Sequence, residues 1–232
     1  MESLMMGYRA LVIGATGSIG SACVRMLQAD LNCSGVVELS RQSASPLMLE
    51  SEASIAQAAD YVSAQGPFQL IIDATGALTI DGQGPEKSLS ALDSERLMRS
   101  FQINTIGPAL VMKHFIPLLD SKQRAIYAKL SARVGSISDN KKGGWYGYRS
   151  AKAALNMMLQ TAAIETLRKK PGAIFVALQP GTVASSLTTP FVRQEECLEP
   201  ETSATGMLNA MDALQVTAGA QFIDYAGNKI EW

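Results

Sequence analysis

The sequence predicts an α/β fold, a single doubly wound parallel β-sheet with helices on both faces, from three observations. Short apolar, β-branched runs alternate with longer stretches of helical spacing along the whole chain. One of these runs, Leu70-Ile71-Ile72, is continuously apolar, as in a strand covered on both faces. A glycine-rich segment, Gly14-Ala15-Thr16-Gly17-Ser18-Ile19-Gly20, joins the first apolar run to the first helical stretch. Strands alternating with helices imply a parallel sheet reached through crossovers. The 232 residues show no repeat, low-complexity tract or linker, so residues 1–232 read as a single domain.

In chain order, Tyr8 to Ile13 is the first strand, and Ser21 to Ala29 is a helix offering Ala22, Val24, Met26 and Leu27 for burial. Val36 to Ser40 is a second strand and Leu47 to Leu49 a very short third. Ala53 to Ala64 is a helix ended by Gly66-Pro67, and Phe68 to Ala74 is the next strand. After a loop from Thr75 to Pro85, Asp93 is placed to cap a long helix through Leu119, which Gly107-Pro108 should bend. Arg124 to Leu130 is a strand, and Gly147 to Lys170 is a helix closed by Pro171-Gly172. Ala173 to Leu178, Glu201 to Leu214 and Gln221 to Tyr225 complete the series as strand, helix and strand.

Composition narrows the function. A net charge of −1 without a long basic run leaves no footprint for nucleic acid or an anionic membrane. Cys23, Cys33 and Cys197 lack ligand-like spacing and His114 is the only histidine, so neither a metal site nor a disulfide framework is expected. A reducing cytoplasm fits this cysteine usage. Met1 to Gly7 is too short and too polar for a signal peptide, and no run reaches membrane-spanning length.

Glycines between a first strand and a first helix let backbone N–H groups approach a diphosphate, and the helix N-terminus adds partial positive charge. Gly14, Gly17 and Gly20, with Thr16, Ser18 and Ile19 between them, are the candidate phosphate contacts; the alternative is a turn that binds nothing. At the tip of the second strand an acid would hold a ribose 2′-OH, whereas arginine accommodates a 2′-phosphate. The chain has Ser40-Arg41 there and Glu38 two residues back, which favours NADP(H) over NAD(H) unless Arg41 is only a surface residue.

Tyr148 and Lys152 are one helical turn apart, so both emerge from one face. A neighbouring ammonium favours phenolate and would draw a tyrosine from its ordinary value of about 10 toward neutrality, making it a general acid/base. With the glycine loop, Asn104, a serine-rich strand end and Tyr148/Lys152 in this order, the chain resembles the short-chain dehydrogenase/reductase family over essentially all its length. The segments Leu130 to Asn140 and Gly143 to Asn156 look like its C-factor and sniffer-type carbonyl reductase branch.

The resemblance implies a Rossmann-type domain that moves a hydride between a nicotinamide and a carbonyl or alcohol carbon of a small molecule. Tyr148 would protonate the carbonyl oxygen. Lys152 would tune Tyr148 and hold the nicotinamide ribose, and Asn104 would support a helix bend and a proton-relay water. Pro180, Gly181 and Val183 match the segment that meets the carboxamide, and Ser185 falls where a cofactor-contacting threonine is common. Assembly as a homodimer or homotetramer is implied too.

The main departure is Ala132, sixteen residues before Tyr148, where this branch places its catalytic serine. A bulge could swing Ser131 inward instead, and Ser136 is a second substitute; otherwise the site has lost one hydrogen bond to the substrate oxygen. The strand that usually ends Asn-Asn-Ala-Gly here ends Asp73-Ala74-Thr75-Gly76, which keeps a shape that could pass the adenine ribose. Met48 stands where an adenine-contacting acid is usual, with Glu50 nearby. Trp145 and Tyr146 either wall the pocket or pack in the core, and Thr182 to Pro200 is either a substrate lid or a surface connection. The alternative function is an NADP(H)-binding regulatory or signalling protein with weak or no catalysis, which would not need Tyr148 and Lys152 together.

Overall fold

In the computed structural model, which describes all residues except 186, 187, 189, 190 and 192, six parallel strands form one sheet. They are β1 (Tyr8–Ile13), β2 (Cys33–Leu39), β3 (Leu70–Asp73), β4 (Ala125–Leu130), β5 (Ala173–Gln179) and β6 (Gln221–Asp224), in the order β2-β1-β3-β4-β5-β6. Six α-helices surround them: α1 (Ser18–Ala29), α2 (Glu52–Ser63), α3 (Ser94–Phe101), α4 (Gly107–Phe115), α5 (Tyr146–Leu167) and α6 (Pro200–Ala213).

The alternation of side chains along each strand sorts them into two cores. On one face Leu11, Ile71, Tyr127 and Phe175 pack against residues of α2, α4 and α5. On the other, Val12, Ile72, Ile126 and Val176 meet residues of α1 and α6. The doubly wound expectation therefore holds. Because β1 pairs with β2 on one side and β3 on the other, the crossovers diverge at the C-terminal end of β1 and open a crevice there. Among the described residues, no helix is long and apolar enough to cross a membrane.

Two local readings change. Leu47 to Leu49 is not a strand. Leu47 is buried, which accounts for the apolar signal, but its N–H bonds to Ser40 C=O at 3.0 Å. The Ser54 hydroxyl accepts from Met48 N–H and donates to Pro46 C=O, so backbone groups a strand would pair are already satisfied.

The long helix from Asp93 is broken. Asp93 caps α3 as expected, accepting from Arg96 N–H at 3.0 Å. Between α3 and α4, Gln102–Ile106 forms a π turn in which Gly107 N–H reaches back to Gln102 C=O. Pro108 has no N–H for the Asn104 carbonyl, so the ladder slips by one residue at that point. Gly107 is required because a Cβ there would stand 2.7 Å from both Leu49 Cβ and Leu49 O.

Candidate active site

The crevice starts at Gly14, whose φ of 84° favours glycine. A Cβ there would lie 3.1 Å from the Ala74 carbonyl carbon, so the loop rests directly on the end of β3. Gly20 is tighter still, its absent Cβ position lying 2.2 Å from the Gly14 carbonyl oxygen. Gly17 caps α1 without a side-chain hydrogen bond, and the first turn carries no acidic residue. Backbone N–H groups and partial positive charge thus face the crevice, which suits a diphosphate. A cleft of about 480 Å³ extends from this loop and is lined by Gly14, Thr16, Gly17, Ser40, Arg41 and the Ala74–Gly76 turn. Arg41 is exposed on it, while Glu38 turns away toward Gln28, 3.4 Å off. Glu50 also reaches the cleft, but it pairs with Arg99 at 3.6 Å.

The π turn brings Asn104 to the same place. Its side chain accepts from Ala77 N–H at 3.0 Å and donates to Ala77 C=O at 2.8 Å, latching the turn after β3. Gly76, with φ of 140°, is held between this amide and Lys152: a Cβ would stand 3.2 Å from Asn104 Oδ1 and 3.3 Å from Lys152 Nζ.

Tyr148 and Lys152 share the first turns of α5, with Nζ 5.7 Å from the phenol ring centroid. Lys152 is 3% exposed and donates to Leu130 C=O at 3.1 Å. Burial lowers its ammonium to about 7, aided by the charge of Lys129 and opposed by that of Asp73. Burial also pushes the Tyr148 phenol above its ordinary value. Desolvation therefore dominates both groups. The expected pull of the ammonium on the phenol toward neutrality is not what this geometry yields.

Tyr148 also lines a second cavity, of about 510 Å³, with Leu78, Pro85, Glu86 and Arg96. Ile80, Asp81 and Arg99 line both this cavity and the cleft, so the two spaces adjoin.

A short chain dehydrogenase family model matches residues 8–196. The chain belongs to the short chain dehydrogenase family of oxidoreductases. Among characterised members, it is 30% identical over 167 residues to C-signal from Myxococcus xanthus, covering 72% of this chain and 94% of that protein. It is equally 30% identical over 183 residues to 1-hydroxy-2-glutathionyl-2-methyl-3-butene dehydrogenase from Rhodococcus sp. strain AD45, covering 78% and 76%. NADPH-bound carbonyl reductase from chicken fatty liver superposes with a TM-score of 0.84 at 22% identity, over 98% of this chain and 95% of that one. The Drosophila melanogaster carbonyl reductase Sniffer gives 0.82 at 20% identity, over 98% and 100%. A Burkholderia multivorans family member with bound NADP gives 0.81 at 22%, over 97% and 99%.

Against the family pattern the serine position stands out. Ala132 is extended (φ −155°, ψ 145°), and Ser131 N–H continues the ladder to Leu178 C=O at 2.8 Å. No bulge forms. The buried Ser131 hydroxyl donates to Asn156 Oδ1 at 2.6 Å, and Ser136 donates to Glu231 C=O while accepting from Asp139 N–H. Both substitute hydroxyls are therefore committed elsewhere.

Pro180 to Ser185 continues from the C-terminal end of β5: the Ser203 hydroxyl on α6 holds Pro180 C=O at 2.6 Å, and Val183 bridges to Leu198. Ser185 Oγ lies 3.1 Å from Thr188 Oγ1. Of the candidate lid, residues 186, 187, 189, 190 and 192 lie outside the described residues, while Phe191 packs edge-on against Trp145 at 5.6 Å. Trp145 in turn meets Tyr148 edge-on at 6.3 Å, so it walls Tyr148.

Sequence reasoning missed two acids and a base. Trp145 has φ of 53° and gives α5 no side-chain cap. Glu86 supplies one, its carboxylate accepting from Gly147 N–H at 3.0 Å while its carbonyl takes Trp145 N–H. Nothing local in the sequence marks this contact across sixty residues. Asp73 and Lys129 form a buried ion pair at 2.8 Å, both side chains 0% exposed. A charged residue within a strand otherwise free of charge, Ala-Ile-Tyr-Ala-Lys-Leu, was the available signal for Lys129.

Proposed function

We propose that the chain is an NADP(H)-dependent oxidoreductase that interconverts a carbonyl and an alcohol on a small molecule. The observation that carries this is the junction of the two cavities: a backbone-lined cleft suited to a dinucleotide adjoins, through Ile80, Asp81 and Arg99, the space that Tyr148 lines, and Lys152 Nζ lies against Gly76 of the cleft wall. Solved relatives carrying NADP or NADPH support the choice of cofactor, as does Arg41 on the cleft with Glu38 turned away. Domain 1–232 is read as one cofactor-binding unit, cytoplasmic and assembling as a homodimer or homotetramer.

When bound, the cofactor would supply the hydride. Gly14 to Gly20 would hold its diphosphate, Ser40 and Arg41 the 2′-phosphate, and Ala74 to Gly76 the adenine ribose side. Pro180, Gly181, Val183 and Ser185 would complete the nicotinamide end. Tyr148, its phenol kept protonated by burial, gives its proton to the carbonyl oxygen on reduction and takes it back on oxidation. Lys152 would hold the nicotinamide ribose, and Asn104 would fix the Ala77 turn beside it. Ser131 acts as a positioning residue that ties the end of β4 to α5 through Asn156.

A second reading, an NADP(H)-binding regulatory protein with weak or no turnover, is favoured by Ala132 and by the match to a protein named C-signal. One experiment separates them: purified chain with NADPH or NADH and a panel of ketones, aldehydes and quinones. The enzyme reading expects NADPH oxidation that falls at least ~1,000-fold in Tyr148→Phe, with a lower KM for NADPH than NADH. Cofactor binding without Tyr148-dependent turnover would favour the regulatory reading.

A further inference from the structure

The ion pair beneath the site is an unusual use of a strand. Lys129 projects from β4 on the face that carries Tyr127, and Asp73 ends β3 directly alongside, register partner to Lys129. Two fully buried charges cost several kcal/mol of desolvation unless each is well paired. Lys129 Nζ is well paired, meeting Asp73 Oδ1 at 2.8 Å, Thr75 C=O at 2.8 Å and Thr75 Oγ1 at 3.0 Å. Asp73 Oδ1 also accepts from Thr75 N–H at 2.9 Å and Thr75 Oγ1 at 2.6 Å. Asp73 Oδ2 has no hydrogen-bond partner among the described residues. A neutral apolar pair would pack the same space without that orphan, so the charges are retained at a cost.

Both ends of this pair serve the site. Thr75 belongs to the turn that lines the cleft and supports Gly14. Lys152 donates to the carbonyl of Leu130, the residue next to Lys129, and its Nζ lies 3.3 Å from where a Gly76 Cβ would stand, so the two ammonium groups flank the Thr75–Gly76 turn. We propose that Lys129, anchored by Asp73, is a positioning residue that clamps the Thr75 turn and controls the proton occupancy of Lys152 from beneath. This rests on the reading of Tyr148 and Lys152 as the reacting pair.

The groups around Lys152 decide the sign. Lys129 faces it from β4 and Asp73 from β3, and Lys129 has the larger influence, favouring loss of the Lys152 proton. Tyr127 on β4 is an uncharged phenol held so by burial, Tyr148 is its titratable neighbour on α5, and Asn104 on the π turn carries no charge. Removing the pair should therefore let Lys152 keep its proton to higher pH.

The test is a pH titration of the 13Cε lysine signals in the cofactor-free chain, with Lys152 and Lys129 assigned from spectra of Lys152→Gln and Lys129→Met. In Asp73→Asn/Lys129→Met the Lys152 midpoint should rise by about half a pH unit or more from near 7, and the alkaline limb of Tyr148-dependent reduction should move with it. If that double variant does not fold, Lys129→Met alone shifts the midpoint the same way, whether Asp73 stays ionised or takes a proton. An unchanged or lowered midpoint in a folded variant overturns the proposal and leaves the pair a structural staple. Because the titration needs no turnover, a chain with the shift but no reductase activity would sink the enzyme reading and leave this coupling standing.

Discussion

The phosphate end of the crevice is made of backbone, whereas the Tyr148 end is made of side chains. At the first, Gly14, Gly17 and Gly20 bring main-chain atoms into contact, and no side chain caps α1. At the second, Asn104 latches Ala77, Glu86 caps α5, Ser131 holds Asn156, and Lys129 grips Thr75. A backbone cradle tolerates few substitutions, because its geometry depends on missing Cβ atoms. A side-chain constellation can be re-made one residue at a time. Accordingly, the departure from the family pattern at the expected serine, Ala132, falls at the side-chain end.

The sharpest way to break this contrast is a single methyl group. Gly20→Ala places a Cβ 2.2 Å from Gly14 O and 2.9 Å from Gly14 C, both backbone atoms, so α1 must lift off the loop. Overpacking of this kind costs about 1–3 kcal/mol in stability. Since the loop is also the proposed diphosphate cradle, NADPH affinity should drop by about 100-fold or more by fluorescence titration. Gly17→Ala is the control: its Cβ would meet Gly14 O at an ordinary 3.4 Å, and φ is −74°. Equal losses in the two variants would mean that close backbone approach is not what the loop depends on.

The same division explains what the sequence reveals. What is legible at either end is written in short, contiguous signals: glycines after an apolar run at the backbone end, Asp93 before a helix and Tyr148 and Lys152 one turn apart at the side-chain end. The strands and helices follow from periodicity within a few residues, apart from Leu47 to Leu49, where burial of Leu47 mimics a strand. The π turn is half legible, since Gly107-Pro108 marks a break but not which carbonyl loses its donor. Glu86 and the Lys129–Asp73 pair are contacts between distant segments, which no local pattern encodes. The balance of forces on Tyr148 is likewise invisible from spacing alone: the i, i+4 placement predicts ionic help, but burial decides it.

At the side-chain end, Ala132→Ser sharpens the comparison by restoring one donor. Residue 132 is half-buried and extended, with its side chain on the opposite face from Ser131 by strand alternation. A hydroxyl there should raise kcat by about 10- to 100-fold with little change in KM, since a donor to the developing oxyanion acts mainly in the transition state. Ser131→Ala, by contrast, should leave the pH profile in place and lower stability through loss of the Asn156 bond. A large rate loss in Ser131→Ala with no gain in Ala132→Ser would reverse these assignments.

The smallest effect concerns what the side-chain end costs the fold. Lys152 titrates near 7 in the folded chain, against about 10.4 in an unfolded one. Between these values the unfolded chain binds the proton and the folded chain does not, so Lys152 makes stability rise with pH across that window. Below pH 7 both states are protonated and the full penalty of the desolvated ammonium is present. Lys152→Met should therefore stabilise the cofactor-free chain, by about 1–2 kcal/mol at pH 6, with the gain shrinking toward zero near pH 10. Urea unfolding of both proteins at the two pH values measures the difference directly. A gain that is the same at both pH values would trace to packing rather than to charge. A loss at pH 6 would show that Lys152 is held by partners strong enough to outweigh its burial, and the site would then not be strained at its reacting pair.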